Sequence, residues 1–477
     1  MSEQLGITVK KEEDFSEWYT QVIQKSDLAD YSPIKGCMVI KPYGFAIWEN
    51  IQKIFDLWLK ETGVKNAYFP MFIPETFLKK EVEHFEGFTP EVAWITKGGD
   101  KDLEEKLAVR PTSETIMYSI FSEWIRSHRD LPLRINQWCN VVRWETKATK
   151  LFLRTREFLW QEGHTVHATK EEAEEEVLLR LKQYKKLIEE YLAIPVVDGR
   201  KSEGEKFAGA LFTTTLESLM SDKKALQMGT SHHLGQHFSK AFDIKFLDKD
   251  SKEKYAWQTS WGLSTRLIGA LVMVHSDNKG LVLPPKIAPL QIIIVPIGTE
   301  KTKAVINKAR DVKRKLEKHY SVEIDEREEY TPGWKFNYWE LKGVPLRIEI
   351  GPKDIENKKL TVFRRDLCIK QSIEEKSFER EIKNLIEDIQ KKLFEQAKRF
   401  LEENTFEANT YEGFKELIER GGFIKAKWCG EINCEKKIKE ETTATVRVIP
   451  FKQEKIKGKC VFCENDAKFI AYFARSY

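Results

Sequence analysis

Apolar residues recur at helical spacing along much of the chain. Phe15, Trp18 and Val22 share one face behind Asp14 and Glu17, a pair suited to a reciprocal N-terminal cap, and a short helix is predicted there. Ile47, Ile51, Ile54, Phe55 and Trp58 keep that spacing between Pro42 and Gly63, and residues 67–73 follow as an apolar strand containing Pro70. Arg110-Pro-Thr-Ser-Glu-Thr reads as a turn capping a helix through Met117, Ile120, Phe121 and Trp124. Val141 and Val142, and again Phe158 to Trp160, predict two antiparallel strands with residues 146–150 as their loop. Arg143, Glu145, Arg154 and Arg156 would be the charged surface of that pair. Thr169 and Glu172 cap a helix carrying Val177, Leu181, Tyr184 and Ile188, whose acidic run 171–176 reads as solvated. Residues 207–215 and 224–231 are short strand or loop segments, and residues 257–275 read as strand, tight Gly turn and helix.

Leu283-Pro-Pro-Lys-Ile-Ala-Pro is the clearest linker, and the pattern changes beyond it. Strand (291–297), helix (302–320), strand (322–325), helix (about 334–342) and strand (346–350) alternate, which implies a small α/β domain with a mixed or parallel sheet. Residues 301–320 hold eight Lys or Arg against two acids, so the exposed face of that helix is basic. An amphipathic helix over 377–403 leads to a β-rich stretch, 442–451, set between two pairs of cysteines. The prediction is a multidomain α+β protein.

Composition narrows the function. With 79 Lys plus Arg against 75 Asp plus Glu in 477 residues, no global field draws the chain to a polyanion, so local patches must do so. There is no apolar segment of signal-peptide length, and the run 292–297 is far too short to span a bilayer, so a cytoplasmic address is expected. Cys429, Cys434, Cys460 and Cys463, with four, 25 and two residues between them, fit a closed tetrathiolate zinc site of structural type. His233 and His237 lack a third ligand in step and read as structural or solvated. A phosphate-binding Gly loop, a dinucleotide fingerprint, Gly-x-Ser-x-Gly and His-Glu-x-x-His are all missing.

Three stretches in order resemble the motifs of class II aminoacyl-tRNA synthetases. They are Pro42-Tyr-Gly-Phe with its helix and Asn66-Ala-Tyr-Phe-Pro70; Val142-Arg143-Trp-Glu145 with Arg154 and Phe158; and Gly262-Leu-Ser-Thr-Arg266. Arg-Pro-Thr112-Ser-Glu114-Thr, Trp160-Gln-Glu162-Gly-His164, Phe207-Ala-Gly and Gly229-Thr-Ser-His232 are similar to the prolyl-tRNA synthetase family in its archaeal/eukaryote-like form. The resemblance implies a class II antiparallel-sheet catalytic domain (1–287), an α/β anticodon-binding domain (288–403) and a small zinc-binding α+β domain (404–477). Homodimerisation through the first motif and ligation of L-proline to tRNA(Pro) with ATP and Mg2+ are also implied.

Carried onto these positions, the resemblance gives Thr112 and Glu114 to the imino nitrogen and Arg143 to the carboxylate and α-phosphate. Trp160, Glu162, His164, Phe207 and His232 would form the proline pocket. ATP would meet Arg143, Glu145, Arg154, Phe158, Gln227, Thr230, Ser264 and Arg266, with Arg143 and Arg266 as the catalytic cations. For tRNA it implies Glu340, Lys342, Arg347 and Lys353; Arg156 keeps an open role. The chemistry agrees: a carboxylate attacking the α-phosphate needs no general base, only positioning and cations. A ring methylene discriminates by only about 1–3 kcal/mol, so alanine is imperfectly excluded. The family's bacterial form carries an editing insertion between the second and third motifs; the interval 158–262 here reads as catalytic-domain elements, so no editing in cis is expected. The chain terminus, Tyr477, is expected to fold back toward the catalytic domain. Two alternatives compete: a non-catalytic RNA-binding paralogue, which has no need of the ATP cations, and a related class II enzyme for another amino acid such as threonine.

Overall fold

Strands whose residues are buried in unbroken runs, rather than alternately, form the centre of the molecule, so the sheet they build must be covered on both faces. The computed structural model describes residues 6–84, 91–146, 148–298, 303–453 and 455–477. Its central elements are helix α1 (Pro42–Glu61), strand β1 (Lys65–Asn66), helix α2 (Glu114–Trp124), strands β2 (Leu133–Val142) and β3 (Glu157–His167), and helix α3 (Lys170–Lys186). Strands β4 (Val197–Arg200), β5 (Phe212–Leu219), β6 (Ala225–Gly235) and β7 (Trp257–Ser264) and helix α4 (Arg266–His275) follow. Thr169 and Glu172 make the expected capping box at the start of α3, which crosses β6 and β7 and buries Val177, Leu181 and Tyr184 against them. Phe55, Tyr184 and Trp261 meet in the core beneath.

β4 to β7, β3 and β2 are antiparallel neighbours in the order β4-β5-β6-β7-β3-β2, with β1 parallel to β2 at the edge. Beyond them, strands β8 (Ile292–Pro296), β9 (Val322–Ile324) and β10 (Leu346–Ile350) are parallel, and β11 (Lys359–Arg364) and β12 (Ile369–Glu374) complete a mixed sheet, β9-β8-β10-β11-β12. Helix α5 (Phe378–Glu403) buries Ile382, Ile386 and Ile389 in the same core. The final strands, β13 (Thr405–Ala408), β14 (Phe423–Trp428), β15 (Thr445–Pro450) and β16 (Phe469–Ala474), do not form a separate sheet. β15 pairs with β4 through Ile449–Arg200 and Pro450–Gly199, so eleven strands run in one sheet from β13 to β1. At that junction a side chain on Gly199 would stand 2.1 Å from the Ile449 carbonyl oxygen, which explains the glycine.

Several expectations change. Residues 67–73 are not one strand: Phe72–Pro74 pairs with Lys101–Val109, which in turn pairs with Trp94–Gly98, a hairpin not anticipated, and Pro70 interrupts the stretch before it. The supposed linker 283–289 is mostly buried, with Leu283 and Ile287 in the core, so it is packed and not a free tether. The connection between β2 and β3 is 143–156 and carries all four charged residues assigned to the strand pair; Lys147 within it lies outside the described residues. β11 and β12 were not foreseen. The basic helix is Lys303–Leu316, with Val305, Ala309 and Val312 inward; Lys301 and Thr302 lie outside the described residues. Among the described residues, no helix is long and apolar enough to cross a membrane.

Candidate active site

The two-residue period of β3 sends Trp160, Glu162 and His164 to one face of the sheet. Register then aligns that face across four strands: Glu162 lies beside Gly262, Thr230 and Thr215, and His164 beside Ser260, His232 and Thr213. Thr112 and Glu114, at the entry of α2, and Phe207 close one side; Arg143 and Phe158 close another. The result is a cavity of ≈250 Å³ lined by every residue that the sequence assigned to proline, together with Gln227, Thr230, Ser264 and Arg266. An adjoining cavity of ≈290 Å³ collects Glu145, Arg154, Phe158, Ser264, Arg143 and Arg266.

Glu162 is 2% exposed, and protein groups occupy both of its oxygens. Oε1 accepts from Ser113 Oγ, from Gln137 Nε2 at 3.1 Å and from Cys139 Sγ at 3.3 Å; Oε2 faces His164 Nε2 at 3.1 Å. The second nitrogen of His164 meets Tyr118 Oη at 3.0 Å. Burial pushes the Glu162 carboxyl up, but His164 and the hydrogen bonds of Ser113 and Cys139 outweigh it and hold the group ionised below its ordinary range. Burial likewise pushes His164 down, yet its bond to Glu162 and the charges of Glu114 and Glu162 carry it above its ordinary value. The two form a buried ion pair. His232, by contrast, is pushed down to about 3 by burial and by the His164 charge, and is a neutral ring against Phe207, with Nδ1 at 2.9 Å from Thr213 Oγ1. Glu114 is bonded to the Thr112 hydroxyl and reaches the cavity directly.

Arg143 lies over Phe158 and Trp160, 5.3 and 5.7 Å from their centroids, and Nε donates to the Pro111 carbonyl at 3.4 Å. Arg266, first residue of α4, donates to the carbonyls of Leu153 and Gln227 at 3.2 and 3.4 Å. Burial, then the neighbouring Arg143, lowers it to about 10, which leaves it cationic at neutral pH. Arg156 is a brace: it donates to the carbonyls of Thr146 and Lys35, both at 3.3 Å, and stacks 4.4 Å from Trp144.

Outside the cavity the assigned residues divide. Arg347 is 3% exposed, bonded to Glu340 at 2.8 Å and Glu349 at 3.0 Å, between Phe336 and Phe363. Lys342 pairs with Asp27 at 2.8 Å and sits over Tyr43, so it joins the mixed-sheet domain to the catalytic part; Lys353 is exposed. His233 is in β6, buried, with Nδ1 accepting from Gly235 N at 3.0 Å, and His237 begins a later helix, so the two are not a helical pair. The sulfurs of Cys429, Cys434, Cys460 and Cys463 lie within 4.8 Å of one another, with 3.5 Å and 3.6 Å between two pairs. A tetrahedral zinc with bonds of about 2.3 Å separates its sulfurs by roughly 3.8 Å, so this donor set fits the metal. Sequence reasoning missed Ser113, Gln137 and Tyr118, which hold Glu162 and His164, and Lys201 at the cavity wall. Of these, Gln137 alone has a readable signal, as a polar residue opposite Glu162 once the register of β2 and β3 is known.

The class II tRNA synthetase core domain (G, H, P, S and T) matches residues 94–275, the anticodon-binding domain 291–385 and the prolyl-tRNA synthetase C-terminal domain 411–477. A proline–tRNA ligase of Natranaerobius thermophilus is 57% identical over 469 residues, 98% of this chain and 97% of the relative. The chain belongs to the prolyl-tRNA synthetase family. Proline–tRNA ligase 2 of Bacillus cereus is 54% identical over 476 residues, 100% of this chain and 99% of that one. A crystal structure of prolyl-tRNA synthetase from Cryptosporidium parvum, complexed with halofuginone and AMPPNP, matches with a TM-score of 0.95 and 47% identity, covering 99% of this chain and 100% of that one. The class II fold expected from the sequence is therefore the fold observed, and the interval 158–262 consists of β3, α3, β4 to β7 and their connections.

Proposed function

We propose that this enzyme joins L-proline to tRNA(Pro) through a prolyl-adenylate formed from ATP. The observation that carries the reading is the single cavity in which Glu114, Arg143 and the Trp160-Glu162-His164 face meet Gln227, Thr230, Ser264 and Arg266. Glu114 and the Thr112 hydroxyl accept from the two N–H groups of the prolinium, and Arg143 neutralises its carboxylate. Glu162 acts behind this layer: paired with His164, it fixes the pocket wall of Trp160, Phe207 and His232, while Glu114 supplies the carboxylate that meets the ammonium. The carboxylate oxygen attacks the α-phosphorus, and Arg143 and Arg266 stabilise charge accumulating on the phosphates. Phe158 underlies the adenine; Glu145 and Arg154 complete the nucleotide half, with Mg2+ carried by the triphosphate.

Residues 1–287 are the catalytic domain, 288–403 the anticodon-binding domain and 404–477 the zinc-binding domain in this reading. Zinc on the four cysteines is structural, and the residues that hold it take no part in catalysis. Homodimerisation is supported by exposed apolar side chains around the first motif, Leu57 (57% exposed), Tyr68 (74%) and Phe72 (40%). For tRNA, Glu340, held by Arg347, offers acceptor oxygens to bases and Lys353 a cation to phosphate, whereas Lys342 serves the domain contact. The address is cytoplasmic, and no editing of alanine occurs in cis. Formation of acid-precipitable prolyl-tRNA from labelled proline, ATP and tRNA(Pro) by the purified chain tests the whole reading. Product is expected; none, with tRNA still bound, would favour the non-catalytic paralogue.

A further inference from the structure

Past Arg266 the site opens into a third cavity, of ≈640 Å³, that the assignments above reach only through Arg154, Gln227 and Arg266. Arg266 lines all three cavities, Gln227 is shared with the first and Arg154 with the second. Six cations line this opening, Arg154, Lys224, Arg266, Lys439, Arg447 and Arg475, against the Glu205 side chain and the α-carboxylate of Tyr477, so cations remain in excess. Half of the six come from the last domain, carried to the site because β15 pairs with β4.

The fold holds one of them with particular care. Arg447 donates twice to Glu217 Oε2, at 3.1 and 2.9 Å, and its third nitrogen donates to Thr445 Oγ1 and Ser476 Oγ at 3.1 and 3.0 Å. Glu217 is fully buried on β5 and also accepts from Lys201 Nζ at 2.7 Å, so two cations share one carboxylate and one positive charge is left over. Lys224 and Lys439 have partners in Asp222, at 3.5 Å, and Glu205, at 3.6 Å. Arg154, Arg266 and Arg475 form no ion pair among the described residues. A solvated surface can carry excess lysines at little cost, but Arg266 and Arg447 are enclosed, and like charges fixed around one cavity are a stable arrangement chiefly for an anion of several charges.

We propose that this opening is a polyphosphate site in which the C-terminal domain, through Arg447 and Arg475, binds the pyrophosphate end of ATP and the pyrophosphate released from it. The proposal rests on the adenylation reading. In that step a bond forms between a proline carboxylate oxygen and the α-phosphorus, the bond from that phosphorus to the β-bridging oxygen breaks, and its electron pair leaves on pyrophosphate. The charge therefore grows on the side of the nucleotide away from proline, and cations from the C-terminal domain complete the set begun by Arg154 and Arg266.

Arg475 is exposed, so Arg475→Ala keeps the fold and carries the test; Arg447→Lys, which keeps the charge but loses the fork, is the second variant. Titration of the full chain with pyrophosphate alone and proline-dependent pyrophosphate–ATP exchange are the measurements. Expected are a loss of about tenfold or more in pyrophosphate affinity and a matching rise in the apparent KM for ATP and pyrophosphate, with the KM for proline within about twofold. Unchanged values for both anions in Arg475→Ala would overturn the proposal. So would a rise confined to the KM for tRNA in aminoacylation, which would give the opening to the phosphates of the tRNA end. A wild-type chain that binds pyrophosphate through Arg475 yet exchanges with no amino acid would sink the adenylation reading and leave the anion site standing.

Discussion

At the scale of single residues, Glu114 and Glu162 look alike in sequence and differ in environment. Glu162 is saturated by Ser113, Gln137, Cys139 and His164, whereas the Glu114 side chain, which lines the same cavity, accepts from the Thr112 hydroxyl alone among the described residues. Glu114→Gln is therefore expected to raise the KM for proline by about tenfold to a hundredfold, the range for losing a charge-assisted bond, with the KM for ATP nearly unchanged. Steady-state exchange kinetics check this, and an equal effect on ATP would refute the division of the pocket. The ion pair behind it sets a pH dependence. His164 is raised above its ordinary 6.5, so its stabilisation is complete below 6.5 and is lost as pH rises through the raised value. Glu162 is depressed below its ordinary 4.5, so its share is complete above 4.5 and is lost as pH falls through the depressed value. Thermal unfolding should show wild type well above His164→Gln near pH 6, with the gap narrowing as pH rises; a gap independent of pH would deny the charged pair.

At the scale of elements, β3 explains most of what could be read in advance. Its period of two puts Trp160, Glu162 and His164 in step, and the strand and helix within 257–275 are likewise local patterns; the tight Gly turn expected between them is absent, because Gly262 is paired inside β7 and Thr265 alone leads into α4. What escaped depends on register and tertiary pairing. Gln137 reaches Glu162 only because β2 lies beside β3, and Lys201 faces Glu217 only through the pairing of β4 and β5. The linker reading failed for a related reason: proline-rich composition marks a chain that cannot be helix, and packing on the core then buried it. Gly163 was legible as a family residue but not as a physical necessity. A Cβ there would lie 2.1 Å from the Trp261 ring, which crosses β3 at 2% exposure. Gly163→Ala should destabilise by about 1–3 kcal/mol, as overpacking does, and also weaken proline binding because both neighbours in the strand face the pocket. Denaturant unfolding reads the first effect; full stability with Ala at this position would show that the indole has room to move.

At the scale of the whole molecule, one sheet joins the catalytic face to the cysteine cluster, and the terminal segment lies against β6, with Ala225 N donating to the Arg475 carbonyl at 2.8 Å and Tyr477 Oη to Asp222 at 2.5 Å. A metal held by Cys429, Cys434, Cys460 and Cys463 would stabilise the active site at a distance, through β15 and β4. Chelation, or Cys434→Ser, is expected to unfold the last domain and depress exchange activity together, seen as parallel losses in circular dichroism and turnover. Activity lost with the domain still folded would contradict a structural metal. The central claim, that the cavity under β3 activates proline, is tested most directly by amino-acid-dependent exchange of pyrophosphate into ATP on the purified chain. The account predicts exchange with proline, weak exchange with alanine and none with threonine. Exchange that follows another amino acid and ignores proline would contradict it.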